Sequence, residues 1–444
     1  MNKGICLETL RAFQKQTDEN PQHRPMMNAI HQSGLDGVAV NYDLKRRMRH
    51  TFSLELTTGK ITSQNSSGRC WMFAALNTMR AEVMEKLNLE TFEFSQAYPL
   101  FFDKLEKSNW FLENILETLD VPTDDRVIAH LLGAPLNDGG QWEMFSNLIR
   151  KYGVVPKDCM PESFHSSNTG TMNKFLQLKL KEYACTLREQ YAAGTPQDTL
   201  AAQKKDMLFE IYRMLCLCLG TPPTEAFFEG YDKDKNFVRV GPMAPTAFFQ
   251  EYVGWDLDDY VSLIHAPTAD KPYYNTFTVR FLGNVAGGRE VKHLNLPVEE
   301  VKQAAIAQMQ DKKLVWFGCD VGQMLSRSWG TMDMQSADWG GALGTCFPMN
   351  KAQRLDYGES AMTHAMVFCG VNLDQEGKPN RWKVENSWGD KAGNDGQFLM
   401  SDEWFSEYTY QVVVHKKYLT QQQREAWEQT PHMLKPWDPM GSLA

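Results

Sequence analysis

No run of about 18 apolar residues occurs in the chain, so no membrane-spanning helix is expected. The opening segment, MNKGICLETLRAFQKQTDENPQ, lacks the apolar centre of a secretion signal. Positive charge is scarce: 46 Lys and Arg against 55 Asp and Glu give a net charge of −9. That balance argues against a constitutive nucleic-acid binder. The nine cysteines are odd in number and scattered, so they make no disulfide framework. A reduced, cytoplasmic protein is expected. Cys216 and Cys218 form the only close cysteine pair, and with no His or Cys beside them they read as core packing rather than a metal site. No metal or other cofactor is expected, and no internal repeat or low-complexity tract is present.

What remains is an ordinary globular composition, 444 residues at 42% hydrophobic, enough for about two or three domains. Residues 1–60 read as an arm, with a basic run from Asp43 to His50 and a β-rich TFSLELTTGKIT. Residues 61–165 read as a helical lobe. Met72, Leu76, Met79, Val83 and Leu87 recur at helical steps after Cys70, and Ser66 and Ser67 can cap that helix. Two long helices broken at Gly194–Pro196 mark 166–240 as a helical insertion. Residues 241–430 are β-rich, interrupted by the helix PVEEVKQAAIAQMQ, with Pro297 suited to its first turn. Residues 431–444 form a tail. Helices first and an antiparallel sheet or barrel later make an α+β pattern.

The stretch QNSSGRCWMFAALNTMR turns from a polar, small-residue loop into a helix at Cys70. A thiol with an ordinary pKa of about 8.5 is a poor nucleophile at neutral pH. The partial positive charge and unpaired N–H groups of a helix N-terminus stabilise its thiolate. A small buried structural cysteine remains the alternative. A nucleophilic cysteine needs a base and something to orient it. Of ten histidines, most lie in polar surroundings and read as surface groups. His364 heads the apolar run HAMVFCGVNL, where it reads either as a satisfied core histidine or as a rigidly held base. Asn386 follows 22 residues later in WKVENSWGD, and two adjacent antiparallel strands can bring it beside His364. Its carbonyl can then fix the imidazole, with Trp388 excluding water. The Cys70 backbone N–H and the Gln64 amide can serve a developing oxyanion.

In this order, Q-x5-C-W, HA and NSWG resemble the papain-like cysteine peptidases. SGRCWMFAALN, DGGQW, GESAMTHAM, VENSWG and the ending PWDPMGSLA resemble the bleomycin hydrolase and bacterial aminopeptidase C branch over essentially the whole chain. NSSGR departs from the spacer of papain itself, and the spacer cysteine is absent. The resemblance implies an α+β, two-lobed papain-like fold, with a helical left lobe carrying Cys70 and a β-barrel-like right lobe carrying His364 and Asn386. It implies Cys70 as nucleophile, His364 as base then acid, Asn386 as orienter, Gln64 in the oxyanion hole and Trp388 as shield. Gly139 and Gly140 match the substrate strip, where a backbone without side chains can pair with an extended peptide. It also implies a homohexameric ring acting on peptides.

In this branch the C-terminal arm lies along the cleft. Pro431, Pro436 and Pro439 favour an extended path here. Gly441 to Ala444 are then expected to fill the non-primed side, with the Ala444 carboxylate facing the substrate's amino group. A cysteine aminopeptidase is therefore what the resemblance implies. A tail docked only for packing is the alternative. Three further readings stand beside it. One is an oligoendopeptidase on the same scaffold. Another is a nucleic-acid-binding ring using Lys45 to His50, against which the acidic total argues. The last is transglutaminase-like acyl transfer, against which the glutamine loop and NSWG argue.

Overall fold

The Cys70 helix, Cys70–Lys86, is buried on every side: each residue from Cys70 to Arg80 is sequestered. A helix hydrophobic on one stripe would sit at a surface, whereas this one lies between layers. One layer is a set of helices that includes Ala97–Glu117 and Trp142–Tyr152. The other is a twelve-stranded sheet. The computed structural model describes residues 3–444.

The centre of the sheet is the strand Val315–Cys319, flanked by His364–Leu373 and Thr409–His415, both antiparallel to it. These strands read as continuous apolar runs because both faces are covered. Alternate residues divide between two cores. Trp316, Ala365, Val367 and Val413 join the Cys70 helix. Val315, Phe317, Met366, Phe368 and Val412 join the helix Val298–Gln310 on the opposite face. The register sets His364 opposite Cys319. Pro379–Glu385 pairs with the His364 strand, and Asn386 follows where the ladder ends.

Several local expectations are corrected. The sheet is not purely antiparallel: three pairings are parallel, among them His432–Leu434 on Thr276–Val279. That last pairing carries the chain towards its C-terminus. The β-rich reading of residues 51–62 reduces to the two-residue strand Leu54–Glu55 on the sheet edge, while the arm before it is helical over Leu7–Glu19, His23–Ala39 and Tyr42–Arg47. Pro297 is the N-cap of its helix rather than its first turn. Neither Ser66 nor Ser67 caps the Cys70 helix, whose N-cap is Arg69 without any side-chain cap bond. His265 and His293 are buried, not surface groups. His265 bonds the Leu296 carbonyl and His293 bonds the Ser262 hydroxyl, contacts made by distant strands.

The two long helices, Gly170–Ala192 and Gln197–Leu219, do not form a core of their own. Leu176, Leu180, Ile211 and Leu215 join the same cluster as the Cys70 helix. The segment 166–240 also holds most of the hairpin Ala226–Tyr231 and Phe237–Met243. Among the described residues, no helix is long and apolar enough to cross a membrane.

Candidate active site

The loop entering the Cys70 helix is braced from several directions. Gln64 Nε2 donates to the Ser67 carbonyl at 2.6 Å, and Ser67 Oγ donates back to the Gln64 carbonyl at 2.6 Å. Arg69 is fully buried and makes a two-pronged ion pair with Glu162, both contacts 2.9 Å. Gly68 N–H donates to Asp138 Oδ2 at 3.0 Å. With no capping side chain, the Cys70 and Trp71 N–H groups stay directed at the thiol, while the Met72 N–H turns back to the Arg69 carbonyl at 3.0 Å. One Gln64 amide hydrogen is used on Ser67, which leaves the second for an oxyanion.

The right-hand strands bring the other groups in. His364 Nε2 donates to Asn386 Oδ1 at 2.9 Å, which leaves Nδ1 as the nitrogen for proton transfer. Trp388 packs against the His364 ring at 5.0 Å between centroids, and both His364 and Asn386 are buried. Gln64 links the two sides: its Oε1 accepts from Ser387 Oγ at 2.7 Å and its N–H donates to the Ser387 carbonyl at 2.8 Å. Cys70 meets the His364 strand directly, since the Ala365 backbone N–H faces the thiol.

Burial pushes the Cys70 thiol up to about 11, against the N–H groups of Ala365, Trp71 and Cys70, which favour the thiolate. Burial likewise pushes the His364 imidazole down to about 4, although the Asn386 bond favours its charged form. Desolvation therefore opposes either charge alone. A thiolate and an imidazolium formed together attract one another, and the pair titrates as a unit.

Gly139 and Gly140 lie beside the helix start. Gly140 N–H donates to the Ala444 oxygen at 3.2 Å, and Ala444 N–H donates to the Gly140 oxygen at 3.2 Å, a two-way strand-like pairing. Ala444 is 4% exposed. Gln141 Nε2 adds a bond to the Ser442 carbonyl at 2.6 Å. Glycine is required at 140, where a Cβ would lie 2.6 Å from the Trp71 ring. A cavity of about 680 Å³ lies beyond the tail, lined by Lys107, Phe111, Asn137, Gly139, Leu443 and others.

All eight residues singled out in the sequence thus converge on one region, in two contact groups. His364, Asn386, Trp388 and Gln64 are linked through Ser387 and the NSWG turn. Gly139, Gly140 and Ala444 meet one another next to Trp71. Cys70 stands between the groups. A model of the Peptidase C1-like family matches residues 4–441.

The chain belongs to the Peptidase C1-like family.

Among its relatives, Aminopeptidase C of Streptococcus thermophilus is 47% identical over 96% of each chain. Bleomycin hydrolase of Homo sapiens is 40% identical over 100% of this chain and 99% of that one. A crystal structure of pepw from Lactobacillus rhamnosis is 48% identical, superposes with a TM-score of 0.98 and matches over 100% of both chains.

Sequence reading missed Asp138, which braces the start of the Cys70 helix beside the Gly139–Gly140 strip. Its carboxylate accepts from Gly68 N–H, from Lys104 Nζ at 2.5 Å, from Asn173 Nδ2 at 2.7 Å and from the Thr169 hydroxyl. Its backbone carbonyl accepts Trp71 Nε1 at 2.7 Å. Although burial opposes ionisation, these partners, Lys104 foremost, hold the carboxyl well below the usual range. Its signal was position alone, directly before Gly139–Gly140.

Proposed function

We infer that this chain is a cysteine aminopeptidase that removes N-terminal residues from peptides through an acyl-enzyme. The observation that carries the reading is the Ala444–Gly140 pairing. The strip that would hold an extended substrate already holds the chain's own terminus, and that terminus ends on a carboxylate. A peptide entering from the primed side meets the carboxylate after about one residue, and its α-ammonium group complements that charge. A blocked or longer N-terminal extension meets a steric and electrostatic stop. The names of the full-length relatives agree with this reading.

In this mechanism the Cys70–His364 pair forms a thiolate and an imidazolium. Cys70 Sγ attacks the first peptide carbonyl. The resulting oxyanion takes hydrogen bonds from the Cys70 N–H and Gln64 Nε2, donors fixed before reaction begins. Collapse breaks the C–N bond, and His364 Nδ1 gives its proton to the leaving amine. His364 then takes a proton from water, which attacks the acyl-cysteine and releases the residue. Asn386 keeps the ring oriented through both stages, and Trp388 keeps water from that bond.

The domain division, compartment and assembly belong to the same proposal. Residues 61–165 form the lobe carrying Cys70, 241–430 the lobe carrying His364 and Asn386, 166–240 an insertion and 431–444 the selector tail. All nine cysteines are free thiols, in keeping with a reducing cytoplasm. Exposed Leu7 and Phe13 on the arm, and Phe175, Phe209 and Leu217 on the long helices, suit contacts in a homohexamer. Cleavage mapping on one free-amine peptide and its N-acetylated twin tests the activity. Stepwise release from the first alone is expected; internal cleavage of both contradicts the assignment.

A further inference from the structure

Glu385 directly precedes Asn386 and is the last residue held in the strand register, opposite Val367 on one side and Gln397 on the other. Its side chain is fully buried. One oxygen, Oε1, accepts from Arg80 Nη2 at 2.8 Å and from Asn77 Nδ2 at 2.8 Å. Both donors stand on the Cys70 helix. Asn77 Nδ2 also reaches Thr62 Oγ1 at 3.0 Å, and Arg80 Nη1 donates to the Lys60 carbonyl at 2.7 Å. Those two partners lie on the segment leading into Gln64. The Thr62 carbonyl in turn accepts from Gly389 N–H at 3.0 Å, just past Trp388. Three chain segments, each bearing a residue of the site, are therefore tied together through one buried carboxylate and its two donors, Asn77 and Arg80.

We propose that Arg80 and Glu385 are positioning residues that set the placement of the Cys70 helix against the His364–Asn386 pair across the two lobes. Stability alone does not require charges here. A buried ion pair can often be replaced by apolar side chains at no cost in stability, because desolvation cancels much of the attraction. What an apolar pair lacks is direction. A guanidinium and a carboxylate meet at defined angles, whereas packed methylenes slide. A shift of about 1 Å between reacting groups can cost about 100-fold in rate. The inference rests on Cys70, His364 and Asn386 being the reacting set. Turnover by Cys70→Ala would show that premise to be wrong, whatever the Arg80 and Glu385 variants do.

The test compares the wild type with the double variant Arg80→Met/Glu385→Met, measuring kcat, KM and Tm on a free-amine substrate. The expected variant melts within about 5 °C of wild type, keeps KM within about twofold, and loses at least about tenfold in kcat. A kcat within about twofold of wild type in the folded double variant overturns the proposal, as does a loss carried wholly by KM. If the double variant does not fold, Glu385→Asp decides. It keeps the charge but withdraws the oxygen by about one methylene. At least about tenfold lower kcat with little change in KM or Tm is expected, and kcat within about twofold of wild type overturns it.

Discussion

Adding a single methyl group at Gly139 should weaken the selector tail without touching Cys70 or His364. Gly139 has no left-handed φ, so its backbone accepts alanine. The new Cβ, however, would lie 2.7 Å from the Ala444 oxygen and 2.8 Å from Leu443 Cβ. Comfortable contact needs about 3.5–4.0 Å, so the tail must retreat by about 1 Å. That retreat strains the two 3.2 Å hydrogen bonds between Ala444 and Gly140. Each is worth about 0.5–1.5 kcal/mol, so the docked tail loses about 1–3 kcal/mol, or about 5- to 150-fold in occupancy. The assay is the ratio of kcat/KM on a free-amine peptide to that on its N-acetylated twin. Gly139→Ala should lower this ratio at least about fivefold, chiefly by raising cleavage of the blocked peptide. An unchanged ratio, with wild-type cleavage of the free-amine peptide, would refute the selector reasoning.

Cys70→Ala should abolish turnover at a stability cost on the order of 1 kcal/mol, since one small side chain leaves a core that otherwise stands; activity assays with thermal melting check both. His364→Ala should lower kcat by about 100- to 10,000-fold, and Asn386→Ala by less, because the base moves the proton while the orienter only fixes the ring. The wild-type rate should trace a bell in pH. Activity rises as the thiol–imidazolium form loses its first proton to give the ion pair and falls as the imidazolium loses the second, and both values belong to the pair. Folding stability should also fall in acid before the carboxylates titrate. Burial holds His293 down to about 4 and His265 down to about 3. The unfolded chain binds those protons near pH 6.5, so stability complete above that value is lost as pH drops towards 4. A Tm unchanged between pH 7.5 and 4.5 would contradict it.

The candidate site was legible because its parts are short local patterns. A cysteine at a loop-to-helix junction, an HA pair heading an apolar strand and an Asn-Ser-Trp-Gly turn each carry their own signal. The tail was legible only in part: His432–Leu434 is a strand and Ala444 reaches Gly140, but the chain turns between them and Pro439–Gly441 forms a 3-10 turn capped by Asp438, not the extended path its three prolines suggested. What supports the site was not legible. Asp138 draws its ligands from the loop at Gly68, the helix at Lys104 and the helix at Asn173, and no local window contains them. Glu385 sits within VENSWG, yet its partners Asn77 and Arg80 lie some 300 residues earlier in the chain. The misread elements fail for a related reason. Residues 51–62 have strand-forming side chains, but only Leu54–Glu55 finds an open edge beside Val371 and Gly370. His293 looked polar in sequence because its burial comes from strands that pair with it only in the folded chain.

The central claim is that the chain's own terminus selects for a free amino group. Deleting Gly441 to Ala444 and mapping cleavage of a free-amine peptide beside its N-acetylated twin tests this most directly. The truncated enzyme should lose exopeptidase activity on the first and gain internal cleavage of the second. A truncated enzyme that remains folded and still demands a free N-terminus would contradict the account.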